Sequence, residues 1–185
     1  MSEQNIPVLG ICAQTSNSGK TTLICRLIAL LQQRGVRVSV LKHTHHAIQI
    51  DQAGKDSYLM QQAGAVQTLV GNAAQWALIS HTASALSEQQ SLHYLLQQFD
   101  TAQCDLILVE GFKQHPIAKI EVFRAHLHQQ PLALNDPHII AVASDSKVSA
   151  PCPLLDLNDV ASVADFIQQT LLHSNTCIAP PGSNP

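Results

Sequence analysis

Charge is scarce in this chain: 13 Asp and Glu and 10 Lys and Arg among 185 residues, 12% of the total, with a formal net charge of −3. Without a basic excess there is no electrostatic footprint for nucleic acid. No hydrophobic run approaches the length of a membrane span, and the N-terminus lacks the positively charged start of a signal peptide. The five cysteines (Cys12, Cys25, Cys104, Cys152 and Cys177) include no C-x-x-C pair and leave one over. They read as reduced thiols of a cytoplasmic protein, not as a disulfide framework. No internal repeat and no linker divides the chain. One well-buried α/β domain is therefore expected over 1–173, with residues 174–185, rich in proline, glycine and asparagine, as a disordered tail.

Against that sparse background one stretch stands out. Residues 10–22 read Gly-Ile-Cys-Ala-Gln-Thr-Ser-Asn-Ser-Gly-Lys-Thr-Thr. They follow a short apolar run from Val8 and precede a helix-patterned segment, Leu23 to Arg34, which is the strand, loop and helix order of a phosphate-binding P-loop. Gly19 lets the backbone approach an anion, Lys20 offers a point charge to β- and γ-phosphates, and the Thr21 hydroxyl can ligate Mg²⁺. Backbone N–H groups of Ser18 to Thr22 sit at a helix start, where the macrodipole favours phosphate. The pattern G-x-x-x-x-G-K-S/T wants glycine where Gln14 stands. Asn17 tolerates positive φ and can take over a tight-turn role.

Leu23, Ile24, Leu27, Ile28, Leu30 and Leu31 share a helical face, and Gly35 stops that helix. Val36 to Leu41 reads as a second strand, parallel to the first. Lys55 to Ala63 reads as a short helix, and the apolar runs around Gly71-Asn72, Val66 to Val70 and Gln75 to Ser80, as a β-hairpin. A helix carrying Leu92, Leu95, Leu96 and Phe99 should be capped by Ser84 or Ser87. Lys119 to Arg124 is expected as an edge strand, His138 to Ala143 as the last strand, and Asn158 as the cap of a final helix bearing Val160, Val163, Ala164, Ile167 and Leu171.

Leu106 to Val109 followed by Glu110 and Gly111 has the form of a Walker-B strand, delivering a carboxylate to the sheet edge where ligands of parallel sheets bind. Glu110 can hold Mg²⁺ through a water or position an attacking water. Lys42, His43, His45 and His46 follow the second strand to the same edge. With Asp51 they can line the mouth of the site, contacting phosphate, Mg²⁺ or a second substrate. Three imidazoles so close can also hold Zn²⁺ or Ni²⁺, although further ligands at metal-site spacing are not evident. Asp145, after the strand at His138 to Ala143, lies where many P-loop GTPases read guanine. The usual accompanying Asn-Lys pair is missing.

In order, Ser-Gly-Lys-Thr-Thr-Leu, Leu-Lys-His-Thr-His-His, Gly-Lys-Asp-Ser-Tyr, Leu-Ile-Leu-Val-Glu-Gly-Phe-Lys and Ala-Val-Ala-Ser-Asp resemble the molybdopterin-guanine dinucleotide biosynthesis adapter family, from about Ile6 to Gln168. The blocks at Lys42–His46 and Glu110–Lys113 are the specific part, because the P-loop alone is widespread. The resemblance implies a P-loop NTPase-like fold: a mostly parallel sheet with helices on both faces and a β-hairpin extension that joins two subunits in a homodimer. It implies GTP and Mg²⁺ as cofactors, weak GTPase activity, and support of the molybdenum cofactor guanylyltransferase that attaches GMP, with molybdopterin and molybdoenzymes as further partners. Lys20 and Thr21 carry over to phosphate and Mg²⁺, Glu110 and Gly111 to the Walker-B region, and Asp145 to the base. Where the family often has proline before Gly54-Lys55, this chain has Ala53. Two rival readings are a GTP-dependent metallochaperone, which the histidines would suit, and a small-molecule P-loop kinase, against which the lack of an arginine-rich lid argues.

Overall fold

The structure is a computed structural model and describes residues 6–44, 55–80, 87–127 and 130–172. Contacts divide the chain into two units, 1–43 with 92–185 and 44–91. The larger unit is built on a six-stranded sheet. Its strands are β1 (Val8–Cys12), β2 (Val38–Lys42), β5 (Leu106–Glu110), β6 (Lys119–Phe123), β7 (Ile139–Ser144) and β8 (Leu154–Asp156), in the order β2-β5-β1-β6-β7-β8. Every neighbouring pair is parallel. β1 and β2 flank β5 on its two sides, so the unit begun by β1 and β2 spans a strand that arrives 64 residues after β2 ends, at Leu106.

Alternation of side chains across the strands divides the core in two. Leu9, Ile11, Leu106, Leu108, Ile120 and Val122 face one side and meet α1 (Lys20–Gln33) and α4 (Val160–Ile167). The expected stripe of α1 is buried as Leu23, Ile24, Leu27 and Leu31, and that of α4 as Val160, Val163, Ala164 and Ile167. Burying each aliphatic side chain is worth about 1.5–3 kcal/mol. Such burial holds helices that would be marginal alone in water. α1 ends where Gly35 N–H donates to Gln32 O at 3.0 Å and Val36 N–H to Leu31 O at 2.9 Å, the paired bonds of a Schellman closure. On the opposite face Leu92, Leu95, Leu96 and Phe99, in and just after α3 (Glu88–Leu96), pack with Ile107, Val109 and Phe112.

The smaller unit contains α2 (Asp56–Gln62) and a two-stranded antiparallel sheet, β3 (Gln67–Gly71) with β4 (Trp76–Ser80). The hairpin is where the sequence placed it. Its turn is closed by the Asn72 side chain, which accepts from the N–H groups of Ala74 and Gln75 at 2.8 and 2.9 Å. Ser87 is the cap of α3: its hydroxyl accepts from Gln90 N–H while Gln90 Oε1 accepts from Ser87 N–H, a reciprocal box. Ser84 lies outside the described residues.

Three expectations need correction. β6 is not an edge strand but lies between β1 and β7, with all five residues buried. Lys119 and Glu121 disguise it, because charge at alternate positions normally marks a solvated face. Here both charges are satisfied internally. Lys119 Nζ donates to Lys113 O, His115 O and Asp136 Oδ2 at 2.9, 2.7 and 2.7 Å. Glu121 accepts the N–H groups of Leu132 and Ala133 at 2.8 and 3.0 Å. Second, β7 is followed by β8, whose three residues are too few to show a period. Third, the cap of α4 is Asp159, accepting from Ala161 and Ser162 N–H, one residue beyond Asn158. The 174–185 tail lies outside the described residues.

Candidate functional site

The carboxyl ends of β2, β5, β1, β6 and β7 meet along one edge, and the site residues come from the turns that leave it. Between β1 and α1 the chain makes its tightest excursion. Asn17 has φ 60° and Gly19 φ 97°. Gln14 stands where the pattern has glycine, and the loop takes its left-handed turn at Asn17, the residue whose chemistry tolerates it. Gly19 forms the N-cap of α1 with no side chain capping it, and no acidic residue occupies the first turn. A helix start of this kind can offer its first amides to an external acceptor. Ser18 is buried and its hydroxyl donates to Thr15 O at 3.2 Å. Lys20 folds back over the loop, its Nζ donating to Thr15 O at 3.0 Å and lying 3.4 Å from Ser18 Oγ. Partial burial holds the Lys20 ammonium below the ordinary lysine value, with Glu110 and Cys12 acting in the other direction. Thr22 stays exposed on the first turn.

Glu110 reaches the loop from β5. Its Oε1 accepts the Thr21 hydroxyl at 2.9 Å, joining residues 89 positions apart. Its Oε2 lies 3.5 Å from Lys42 Nζ, and the carboxylate is 13% exposed. The structure thus brings Thr21, Glu110 and Lys42 together. His43 N–H donates to Glu110 O at 2.9 Å, tying the tips of β2 and β5. The turn after Glu110 is strained: Gly111 has φ 105° and Phe112 φ 50°. Any Cβ at Gly111 would lie 3.0 Å from His43 Cβ, so glycine is required for both conformation and space. That turn drives the Phe112 ring into the core, 4.3 Å from the His43 ring and 4.8 Å edge-on to His115.

Asp145 follows β7, and its Oδ2 accepts from Arg124 Nη1 at 2.8 Å. Arg124, immediately after β6, also donates from Nε to Ser18 O at 2.9 Å. Sequence reasoning missed Arg124 as a site residue; its one signal was its place directly after a strand at the ligand edge. His45, His46 and Asp51 lie outside the described residues. Among the described residues, no three His, Cys, Asp or Glu side chains group as a metal site. Cys12 is no nucleophile: burial, and then the Glu121 charge, push its thiol up to about 12.

A parallel sheet, an uncapped helix start behind a lysine-bearing loop, and a strand-end carboxylate on the loop's threonine define a protein of the P-loop class. Residues 8–145 match the family model described as molybdopterin guanine dinucleotide synthesis protein B. The molybdopterin-guanine dinucleotide biosynthesis adapter protein of Escherichia coli (strain K12) is 45% identical over 171 residues, covering 92% of this chain and 96% of that protein. The protein of the same name from Haemophilus influenzae is 45% identical over 168 residues, 91% of each. The crystal structure of Bacillus subtilis MobB superposes with a TM-score of 0.64 at 26% identity, over 90% of this chain and 98% of that one. The chain belongs to the molybdopterin guanine dinucleotide synthesis protein B family.

Proposed function

We propose that this chain binds GTP with Mg²⁺, hydrolyses it slowly, and serves as an adapter in the guanylation of molybdenum cofactor in the cytoplasm. The observation that carries the nucleotide reading is the 2.9 Å bond from Thr21 to Glu110, which brings loop and Walker-B carboxylate into one constellation beside Lys20. The hard oxygens of Thr21 and Glu110 suit Mg²⁺, which when bound supplies charge neutralisation between neighbouring phosphate groups. Lys20 and the first amides of α1 bind the anion, Lys42 adds positive charge behind Glu110, and Glu110 can orient a water. Asp145 is the group that would accept the guanine donors.

The adapter role rests on the 45% identity to proteins of that name. A molybdenum cofactor guanylyltransferase is the partner this reading requires, with molybdopterin and molybdoenzymes as further contacts. The exposed Leu69, Val70, Trp76 and Leu78 on the hairpin support a homodimer, since an apolar strand pair in water invites pairing with a second copy. Calorimetric titration with GTP, with and without Mg²⁺, tests the nucleotide reading, and capture of the guanylyltransferase by the tagged full chain tests the adapter reading. Saturable GTP binding strengthened by Mg²⁺ is expected. No heat of binding at millimolar GTP would refute the first reading, and no capture of the purified transferase the second.

A further inference from the structure

We infer that Arg124 is a positioning residue that couples the phosphate loop to Asp145, so that an anion in the loop and a base at Asp145 are recognised together. The inference rests on the nucleotide reading and deepens it. A guanidinium is a rigid planar fork, and here its two arms are committed to different elements. Nε holds Ser18 O inside the loop at 2.9 Å, and Nη1 holds Asp145 Oδ2 at 2.8 Å. The fork also passes under the loop's sharpest turn, since a Cβ at Gly19 would lie 3.2 Å from Nη2. The ion pair is partly shielded, with side chains 31% and 22% exposed.

Neither connection is replaceable locally. Ser18 is buried, and its carbonyl accepts a charged donor from a residue 106 positions away. Asp145 leaves β7 at the strand end next to β6, where Phe123 pairs in register with Ser144. Arg124 is therefore the first residue beyond the sheet that can reach both. The Asn-Lys pair that accompanies such an aspartate in many P-loop GTPases is absent, and a single arginine from the neighbouring strand makes the tie instead. One carboxylate oxygen anchored on the fork sets the direction in which the other faces a ligand. Without that anchor, Asp145 would turn freely and lose its preference between donor-bearing and donor-free base edges.

The test uses the full chain and three probes: GTP, ATP and inorganic tripolyphosphate, with affinities measured by calorimetry for wild type, Arg124→Ala, Arg124→Lys, Asp145→Ala and the double Ala variant. Arg124→Ala is expected to reduce the GTP-to-ATP preference about tenfold while tripolyphosphate binding changes much less. Asp145→Ala should reduce it by a similar factor, and the double variant should lose no more than either single one. Arg124→Lys keeps the charge but not the fork, so it should hold tripolyphosphate affinity near wild type without restoring base preference. An unchanged preference in Arg124→Ala, or single effects that multiply in the double variant, would overturn the inference. A wild type that binds tripolyphosphate but prefers neither nucleotide also overturns it, while leaving anion binding intact; one that binds none of the probes overturns the nucleotide reading as well. If circular dichroism shows Arg124→Ala unfolded, Arg124→Gln carries the same comparison.

Discussion

Replacing Lys20 by alanine separates the anion site from the fold that carries it. In the free protein the ammonium donates to Thr15 O at 3.0 Å and lies 3.4 Å from Ser18 Oγ. The bond to Thr15 O is solvent-exposed, so these contacts fall below the range for shielded charged donors and are worth about 0.5–1.5 kcal/mol each. Against them stands desolvation, which is the leading influence holding the Lys20 ammonium below its ordinary value. The two effects oppose, so Lys20→Ala should change stability by no more than about 1 kcal/mol, or roughly 2–4 °C in Tm. Binding is different. A charge-assisted contact to phosphate is worth about 1.5–3 kcal/mol, which lowers affinity roughly 10- to 150-fold. The helix amides that remain explain why some binding should persist. Calorimetric titration with GTP and Mg²⁺ reads the affinity, and differential scanning calorimetry reads the fold. Because the lysine must be protonated to bind, wild-type affinity should fall with rising pH earlier than an ordinary lysine would dictate, and the variant should lack that limb. Equal affinities in variant and wild type, with both folded, would refute the phosphate role of Lys20.

Asp136 provides a pH test of the buried β6 network. Burial acts to raise its carboxyl, but hydrogen bonds from Lys119 and the His138 N–H and their positive charge prevail, leaving it below the usual range. A depressed folded value means the contribution is complete above the unfolded carboxylate value of about 3.9 and is lost as pH falls through the folded one. Urea midpoints of wild type should therefore drop on acidification below about pH 4 more steeply than those of Asp136→Asn. At neutral pH Asp136→Asn should lose stability toward the lower end of the roughly 3–5 kcal/mol for breaking a buried pair, since Asp136 keeps some solvent; an unchanged neutral midpoint would contradict this. For assembly, Trp76 is 67% exposed on β4, so Trp76→Asp should shift sedimentation equilibrium from dimer to monomer with the fold retained. A wild-type monomer at micromolar concentration, or an undisturbed variant dimer, would sink the dimer reading.

Much of the candidate site's geometry was legible because the P-loop pattern is local. Ser18 to Thr22 are consecutive, Asn17 takes the positive φ that its chemistry permits, and the apolar run ending at Glu110 carries its carboxylate to a strand end. The helical stripes of α1 and α4 were equally plain, because their 3.6-residue periods are properties of the segment itself. The strand bearing Lys119 and Glu121 was expected at the edge for the opposite reason. Whether a charge is solvated or buried depends on partners such as Asp136 and Leu132, which no local pattern reveals. The same holds for Arg124, whose partners at Ser18 and Asp145 lie 106 and 21 positions away. Short-range order along the chain thus determined the loop, its helix and the strand bearing Glu110. Only the insertion of β5 between β1 and β2, and of β6 between β1 and β7, decided which distant charges meet there, because long-range pairing sets which strand ends become neighbours.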